Sequence, residues 1–271
     1  MTLSVVIAAK NEERHLPEQL LAVQTQGHTA DEIVLVDDGS TDGTYEIMRD
    51  FARFVRAARV IRHEDSVGAT AAYNRGVAES TGDWIYCASA NDVLRPGAFA
   101  WFTQVLDMWP GRAGALITGD LDGVRLGWSI TGGPQWFSAA EVCALLGRQG
   151  IVHGAATFVS RWAWQEAGGW HDDVGPYVDA LMWHTLAAQH GLIYTPHPIA
   201  WVRPNEPGQG NGGAVVHDRQ RRQPYLEALA RHVLAMPEPA RSRLVNSGLW
   251  GISEFAPDMA AIFASWRQVV S

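Results

Sequence analysis

The spacing of apolar residues in the first hundred positions alternates between two kinds of segment. Short, continuously apolar runs predict buried parallel strands, and they are LSVVIA, EIVLVD, ARVIRH and WIYCAS. The segments between them repeat apolar residues about every 3.6 positions and predict helices: PEQLLAVQTQ, GTYEIMRDFARFV and ATAAYNRGVAES. Pro17 suits the first turn of the first helix, and Thr41 can cap the second. Three strand-helix repeats predict right-handed crossovers and a Rossmann-like α/β fold, a mostly parallel open sheet flanked by helices.

The pattern is less regular from about Ala115 onward. Further strands are predicted at ALITG, ATFVS and LIYTP, and further helices at AAEVCALLGR and YVDALMWHTLAAQHG. The Gly- and Trp-rich segment GDLDGVRLGWSITGGPQWF predicts a long loop or hairpin. From Asp218 onward the pattern is helical, with a break near Pro237, and predicts a helical C-terminal extension.

Composition and charge limit the kinds of partner. Of the 271 residues 47% are apolar, enough for a substantial core, and the net charge of −8 opposes binding to nucleic acid. Cys87 and Cys143 provide no disulfide framework and no cysteine-based zinc spacing, which is typical of a reducing cytoplasm. The apolar run at residues 3–9 is too short for a signal peptide, and no run reaches the roughly 18 residues of a membrane span. We therefore expect a cytoplasmic protein that is at most peripheral on the inner face of the membrane.

Open parallel sheets bind ligands beyond the carboxyl ends of their strands, here after Ala8, Val36 and Ala88. In VLVDDGSTDGT a buried strand carries two adjacent carboxylates into a turn, which is unfavourable unless they meet donors or face a crevice. Asp38 could accept from a base N–H or a ribose hydroxyl, and Gly39 could let a ligand approach the backbone. The alternative is an Asx-type turn in which Asp42 or Thr41 caps the next helix.

Two other loops belong to the same predicted edge. In AAKNEERHL, Asn11 and Glu12 could reach a nucleotide, or they could simply begin a helix with acidic residues near its positive end. In CASANDVLRPG a strand ends at Asn91 and Asp92, one amide beside one carboxylate. That turn is a metal site, a metal site that has lost ligands, or only a turn.

Taken together, these strings resemble the family 2 glycosyltransferases with the GT-A fold. The resemblance rests on LSVVIAAKNEERHLPEQL, DEIVLVDDGSTDGT, VGATAAYNRGVAESTGDWIYCASANDVLRPG, GIVHGAATFVSRWAWQEAGGWHDD and PYVDALMWHTLAAQHG, in that order. It covers roughly residues 1–203. It implies a nucleotide-sugar-binding half at residues 1–112, an acceptor-binding and catalytic-base half of the same domain at 113–217, and the helical extension at 218–271.

The resemblance also implies roles for individual residues. The expected nucleotide-binding residues are Ala8, Ala9, Glu12, Asp38, Gly68, Asn74, Ser89, Ala90 and Asn91. Among these, Asp38 would recognise the base, usually uracil, and Gly68 and Asn74 belong to the helix that borders the diphosphate. Asp179 matches the general base, although Val178 stands where the family commonly has Glu. The alternative is that Asp179 only caps its helix and that Asp172 or Asp173 is the base.

The implied reaction transfers a sugar from a nucleotide donor, UDP-linked by expectation, to a hydroxyl of a glycan or lipid-linked acceptor, as in polysaccharide biosynthesis. A carboxylate removes the hydroxyl proton during attack on the anomeric carbon, so the configuration inverts. Where the family commonly has Asp, any residue, Asp, Asp, this chain has Ser89, Ala90, Asn91 and Asp92. We expect Asn91 and Asp92 to hold Mg²⁺ or Mn²⁺ weakly, because an amide oxygen carries no charge.

The acceptor side is expected to include His153, Trp128 and Trp136, although a lone His is often structural. Indole faces can stack on a sugar, whereas Trp84 and Trp183 have the spacing of core residues. Arg203 and His217 lie in a segment that resembles a flexible lid over the donor or is a plain solvent loop.

Two other functions compete with sugar transfer. A binding-only pseudoenzyme that acts as a partner subunit is favoured by the reduced acidic motif at residues 89–92. A nucleotidyltransferase is disfavoured because it would need a basic, Gly-rich loop after the first strand, and AAKNEERHL is acidic there.

Overall fold

The computed structural model describes residues 1–27, 30–109, 114–122, 132–149, 152–204, 218–247, 258–259 and 261–264. Within these ranges the strands are β1 Leu3–Ala9, β2 Glu32–Asp38, β3 Ala58–His63, β4 Trp84–Ser89, β5 Val93–Leu94, β6 Leu116–Asp122, β7 Gln135–Phe137, β8 Thr157–Ser160 and β9 Leu192–Trp201. The helices are α1 Leu16–Gln24, α2 Thr44–Phe54, α3 Ala69–Glu79, α4 Ala98–Met108, α5 Ala139–Gln149, α6 Arg161–Glu166, α7 Val178–His190, α8 Arg219–Ala235 and α9 Ala240–Val245. Two 3-10 helices occupy Gly154–Ala156 and Asp172–Tyr177.

All nine strands form one sheet in the order β3-β2-β1-β4-β8-β6-β9-β5, with β7 paired to β9. The first four neighbours in this order are parallel, as the strand-helix alternation predicts. Antiparallel pairing begins where β8 joins β4, and β6 and β9 run parallel to each other beyond it. The carboxyl ends of β1, β2 and β4 therefore lie side by side.

Alternate residues of the inner strands point to opposite sides, so both faces of the sheet are apolar. Helices cover each of these faces. On β1, Val5 and Ile7 pack in one apolar cluster with residues of α1 and α4. Val6 packs in the other cluster with residues of α3, α5 and α7. The result is a three-layer α/β arrangement with a buried sheet.

The predicted strands and helices of the first hundred residues are confirmed. One expectation about burial is wrong: β3 is only half-buried, because it lies at the edge of the sheet and has a strand on one side only. The short strand β5, helices α4 and α6 and the two 3-10 helices were not predicted, and β9 runs well past the predicted LIYTP.

The described C-terminal helices pack on the same domain. Leu226 and Leu229 of α8 and Leu244 of α9 belong to the apolar cluster that contains Leu186 of α7. Arg222 of α8 is also buried and pairs with Asp258 at 2.8 Å. Within the described ranges, none of the helices has the length and apolarity that crossing a bilayer requires. A cytoplasmic, at most peripheral location stays a prediction.

His184 on α7 should make folding stability depend on pH. The side chain is 2% exposed, and burial lowers its pKa to about 4, from about 6.5 in the unfolded chain. Since the unfolded state takes up the proton first, stability is full above about pH 6.5 and falls as pH decreases toward 4. We expect a loss of about 2 kcal/mol between pH 7.5 and pH 5 from this group, measured by urea unfolding at both values. The free energy of unfolding of His184→Leu should fall by correspondingly less between the two pH values. An identical fall in that variant would mean that His184 does not cause the pH dependence.

Candidate functional site

A cavity of about 650 Å³ opens where β1, β2 and β4 end. The strand ends contribute one wall, and the first residues of α3 contribute another. The lining residues are Ala8, Ala9, Lys10, Glu12, Asp38, Ser66, Gly68, Ala69, Ala72, Tyr73, Ser89, Ala90 and Asn91. The three loops predicted to converge therefore do converge on one crevice.

All the predicted nucleotide-binding residues line this cavity except Asn74. The Asn74 amide instead pairs with the backbone of Trp170: its Nδ2 donates to the Trp170 carbonyl at 2.8 Å, and its Oδ1 accepts from the Trp170 N–H at 2.9 Å. These two bonds join α3 to a segment nearly a hundred residues later. Asn74 thus fixes the position of α3 from the side away from the cavity.

Asn74→Ala should separate the structural role from a nucleotide-binding role. Removing the amide leaves two backbone groups of Trp170 without their partner, and we expect the free energy of unfolding to fall by about 2 kcal/mol. The affinity for UDP, measured by titration calorimetry, should change less than about twofold because no lining atom is removed. A large loss of UDP affinity at unchanged stability would instead place Asn74 in the nucleotide site.

Hydrogen bonds join the loop after β1 to the loop after β2. Asn11, at φ 56°, accepts from the Thr41 N–H at 2.9 Å through its amide oxygen. The Glu12 N–H donates to Thr44 Oγ1 at 2.7 Å, and the Gly43 N–H donates to Glu13 at 2.8 Å. Asn11 therefore organises the loops, whereas Glu12 also lines the cavity.

The expected cap by Thr41 is wrong. Helix α2 begins after Gly43, and the Thr41 side chain makes no capping bond to it. Asp42 does what the Asx-turn alternative requires, since its Oδ1 accepts from the N–H of Thr44 at 3.0 Å. The Asx turn and the carboxylate at the crevice, the two interpretations of VLVDDGSTDGT, are thus found at different residues. Asp42 forms the turn, and Asp38 lines the crevice.

Asp38 is 3% exposed and accepts four hydrogen bonds. Its Oδ1 accepts from His63 Nδ1 at 3.0 Å and from the Val67 N–H at 2.9 Å. Its Oδ2 accepts from Ser66 Oγ at 2.7 Å and from the Gly68 N–H at 3.0 Å. Burial would raise the pKa of Asp38, but these donors lower it below its usual value. The carboxylate thus holds residues 63–68 against the strand end as one wall of the cavity.

Gly39 makes room for backbone and not, as expected, for a ligand. Its φ of 66° is in the left-handed region, and a Cβ there would lie 2.7 Å from the backbone nitrogen of Ser66. Gly68, at φ 93°, precedes α3 and has open space around it on the cavity side. The free N–H groups at the start of α3 therefore border the cavity, an arrangement that favours anions.

The turn after β4 is held from two directions. Ser89 Oγ donates to the Oδ1 of Asn91, and the backbone N–H of Arg203 donates to Asp92 Oδ1 at 3.1 Å. The Arg203 guanidinium donates to the Asn91 carbonyl and to Glu18. Burial raises the pKa of Asp92, and the Arg203 N–H and the charges of His153 and Arg203 offset part of this effect. Asn91 lines the cavity, while Asp92 is buried behind it.

Asp179 lies in the first turn of α7, next to Gly154. Its Oδ1 accepts from the Ala180 N–H at 2.7 Å, and its Oδ2 lies 3.2 Å from the place where a side chain on residue 154 would begin. The indole nitrogen of Trp183 lies 3.3 Å from the same place. Gly154 follows His153, whose charge acts on Asp92. Gly154 therefore adjoins the Asp179 carboxylate and the Trp183 indole.

The remaining predicted residues are distributed as follows. His153 Nδ1 accepts from the Ala155 N–H at 3.2 Å. Trp136 is 41% exposed on β7, whereas Trp84 and Trp183 are buried as their spacing predicts. Trp128 and His217 lie outside the described residues. Asp173, one of the alternative bases, pairs with His232 of α8, and Asp172 is exposed.

Residues 4–107 match the family model described as Glycosyl transferase family 2. The match covers less than half of the chain. The matched range contains every cavity-lining residue, and Asp179 lies outside it.

Curated relatives carry glycosyltransferase names. Poly-beta-1,6-N-acetyl-D-glucosamine synthase of Staphylococcus epidermidis is 24% identical over 207 residues, which are 74% of this chain. The glycosyltransferase GlyG of Streptococcus pneumoniae is 33% identical over 93 residues, 34% of this chain and 31% of that protein. The chain spans 49% of the synthase, about half its length.

Solved structures show that the chain has the GT-A fold. TarS 1-349 of S. aureus in complex with UDP-GlcNAc matches with a TM-score of 0.74 at 13% identity, covering 91% of this chain and 71% of the TarS 1-349 chain. The mannosyltransferase PcManGT of Pyrobaculum calidifontis, in complex with GDP-Man and Mn²⁺, matches with a TM-score of 0.68 at 19% identity, covering 97% of this chain and 74% of that one.

Proposed function

We propose that the protein transfers a sugar, with inversion, from a nucleoside diphosphate sugar to a hydroxyl of a glycan or lipid-linked acceptor. The observation that carries the proposal is the cavity at the ends of β1, β2 and β4, with the positive end of α3 on one side. On this proposal residues 1–112 bind the donor, 113–217 bind the acceptor and supply the base, and 218–271 form a helical extension.

The donor would lie with its diphosphate toward α3. The N–H groups at a helix start and the Lys10 ammonium in the lining both favour phosphate oxygens. The nucleoside would then lie toward the loops after β1 and β2, where Asp38 lines the cavity. A base N–H can reach Asp38 only if one of its four present donors yields, and side-chain rotation can remove either the Ser66 hydroxyl or the His63 ring.

We infer a uridine donor from the UDP and UDP-GlcNAc complexes of TarS. PcManGT binds GDP-Man on the same fold, so the fold alone does not select the base.

Asp179 would act as the general base. Its Oδ2 faces the space beside Gly154, and a side chain on residue 154 would block that space. A hydroxyl placed there could lose its proton to the carboxylate while it attacks the anomeric carbon from the side opposite the diphosphate. Trp183 would present its indole N–H at the same place, where it can donate to an acceptor oxygen.

A divalent cation would be held by Asn91 and Asp92. One carboxylate and one amide oxygen suit Mg²⁺ or Mn²⁺ when substrate phosphates complete the coordination, so the residues fit the cation, though with little charge. When bound, such a cation neutralises charge on the departing diphosphate. Because the Arg203 N–H donates to Oδ1 and Asp92 lies behind Asn91, Asp92 would ligate the cation through Oδ2 after its side chain turns toward the cavity.

Asn91→Asp should tighten Mn²⁺ binding in the presence of UDP. The added negative charge should lower the Kd for Mn²⁺ by about tenfold, and the new carboxylate can still accept from Ser89 Oγ. Asn91→Ala should change the Kd in the opposite direction. Manganese titration monitored by electron paramagnetic resonance measures the Kd of each variant. Equal Kd values for the unaltered chain, Asn91→Asp and Asn91→Ala would mean that the cation does not bind at this turn.

A binding-only partner subunit is the second candidate. It is favoured by the turn after β4, where Ser89 and Asn91 bond to each other and Arg203 engages Asp92. Incubation with a panel of nucleotide sugars, with and without Mn²⁺, separates the two functions. Thermal stabilisation with release of the nucleoside diphosphate supports the transferase. Thermal stabilisation without release of the nucleoside diphosphate, for every donor and acceptor tested, supports the binding subunit.

A further inference from the structure

Two histidines and one aspartate meet where α8 crosses the 3-10 helix Asp172–Tyr177. His171 precedes that helix, Asp173 lies in its first turn, and His232 lies in the last turn of α8. One ligand atom from each of the three residues lies within 4.8 Å of the other two. The cluster is separate from the cavity described above and shares no residue with it.

The geometry of the cluster is close to that of a metal site. His232 Nε2 lies 3.0 Å from Asp173 Oδ1, and the rings of His171 and His232 have their centroids 4.4 Å apart. Ligand atoms of a tetrahedral ion are separated by roughly 3.3 Å, as bond lengths near 2.0–2.1 Å require. Small side-chain rotations on a partly exposed surface suffice to close the remaining distance, since His232 is 30% and Asp173 49% exposed.

The His171 ring is already oriented from behind. Its Nε2 lies 2.9 Å from the Ala167 carbonyl oxygen, and because a carbonyl can only accept, Nε2 carries the proton. The lone pair is then on Nδ1. Metal-bound histidines usually donate their second ring N–H to a carbonyl or carboxylate, which fixes the tautomer. The Ala167 carbonyl supplies that second bond before any ion is present.

We propose that His171, Asp173 and His232 form a site for Zn²⁺ or a similar transition-metal ion. Two imidazoles and a carboxylate match the ligands that Zn²⁺ prefers, whereas Mg²⁺ and Ca²⁺ prefer all-oxygen sites. The fourth position would hold water from the adjoining groove of about 190 Å³, which both histidines line together with Met182 and Thr185. The positive charge of Arg231 weakens binding of the ion, because its Nη2 lies 3.7 Å from Asp173 Oδ2.

The ion would join the C-terminal extension to the segment that leads into Asp179. His232 is 59 residues from Asp173, so coordination closes a long loop between α8 and the start of α7. The two elements already pack closely here: a side chain on Gly175 would lie 2.6 Å from the Tyr225 ring. Binding to the folded chain alone raises the melting temperature by linkage.

The test uses the full chain, without an affinity tag, after removal of metal with EDTA and in the absence of nucleotide. Titration with Zn²⁺ by calorimetry should give one ion per chain and a higher melting temperature. Co²⁺ should give the visible absorption of a four-coordinate site with nitrogen ligands. His232→Gln and the exposed Asp173→Asn should each weaken Zn²⁺ binding by at least about tenfold. Arg231→Ala should strengthen it.

Two controls separate this site from other sources of metal affinity. His190→Gln removes an imidazole that lies outside the cluster, and Asp92→Asn removes the carboxylate of the donor-side turn. Neither should change the Kd for Zn²⁺. Binding that is equal in His232→Gln, Asp173→Asn and the unaltered chain, or no saturable binding at all, would overturn the proposal and leave an ordinary His232–Asp173 ion pair.

Discussion

Asp179→Asn is expected to reduce sugar transfer by about 10²- to 10⁴-fold, the usual contribution of a general base. The amide has nearly the same size and can still accept from the Ala180 N–H, so the first turn of α7 should stay intact. Asp179 does not line the nucleotide cavity, and the Kd for UDP should therefore change little. The measurement is kcat by release of UDP from the donor that the panel identifies, together with UDP binding by calorimetry.

A matched control for Asp179 comes from the same segment of the chain. Asp172 was an alternative base and is an exposed residue in the first turn of the preceding 3-10 helix. Asp172→Asn should transfer sugar at nearly the normal rate. If Asp172→Asn stops transfer and Asp179→Asn does not, the assignment of the base is wrong.

Asp38→Asn is expected to have the second largest effect, on both stability and nucleotide binding. An amide nitrogen cannot accept, so two of the four donors around Asp38 would lose their partner or face another donor. We expect the free energy of unfolding to fall by about 3 kcal/mol, because buried donors would be left unsatisfied. The segment 63–68 would also lose its fixed position as a wall of the cavity, and the affinity for UDP should fall with it.

Asp42→Asn is the control for Asp38. Asp42 lies in the same loop and forms an Asx turn by accepting from the Thr44 N–H, but it does not line the cavity. Because Asn forms the same turn, we expect the free energy of unfolding to fall by less than about 1 kcal/mol and the Kd for UDP to stay unchanged. Similar effects of Asp38→Asn and Asp42→Asn on UDP binding would mean that only loop order matters, and not the carboxylate in the cavity.

The sequence predicted the part of the fold that depends on local pattern. The runs LSVVIA, EIVLVD and WIYCAS are too apolar to be exposed, and they became the inner strands. The rule that ligands bind at the carboxyl ends of such strands then placed Ala9, Asp38 and Ser89 at one crevice. Helix α4 was missed although AFAWFTQVLDM is strongly apolar and carries Thr103, Gln104 and Asp107 at helical spacing.

What sequence reasoning missed depends on partners far away in the chain. The bond from the Arg203 N–H to Asp92 joins residues 111 positions apart, and the Asn74 pairing to Trp170 spans 96. Gly39 was correctly identified as a place of close approach, but its neighbour is the backbone of Ser66 and not a ligand. The cluster of His171, Asp173 and His232 has no spacing signal, since α8 brings His232 to the other two only in the folded chain.

A crystal structure of the chain with a bound UDP-sugar would test the central claim most directly. The claim is that the cavity at the ends of β1, β2 and β4 holds the donor and that Asp179 faces its anomeric carbon. The expected result is a diphosphate at the start of α3 beside Asn91, the uracil near Asp38, and the sugar between this turn and the Asp179 carboxylate. A nucleotide bound elsewhere, or a sugar directed away from Asp179, would contradict the claim.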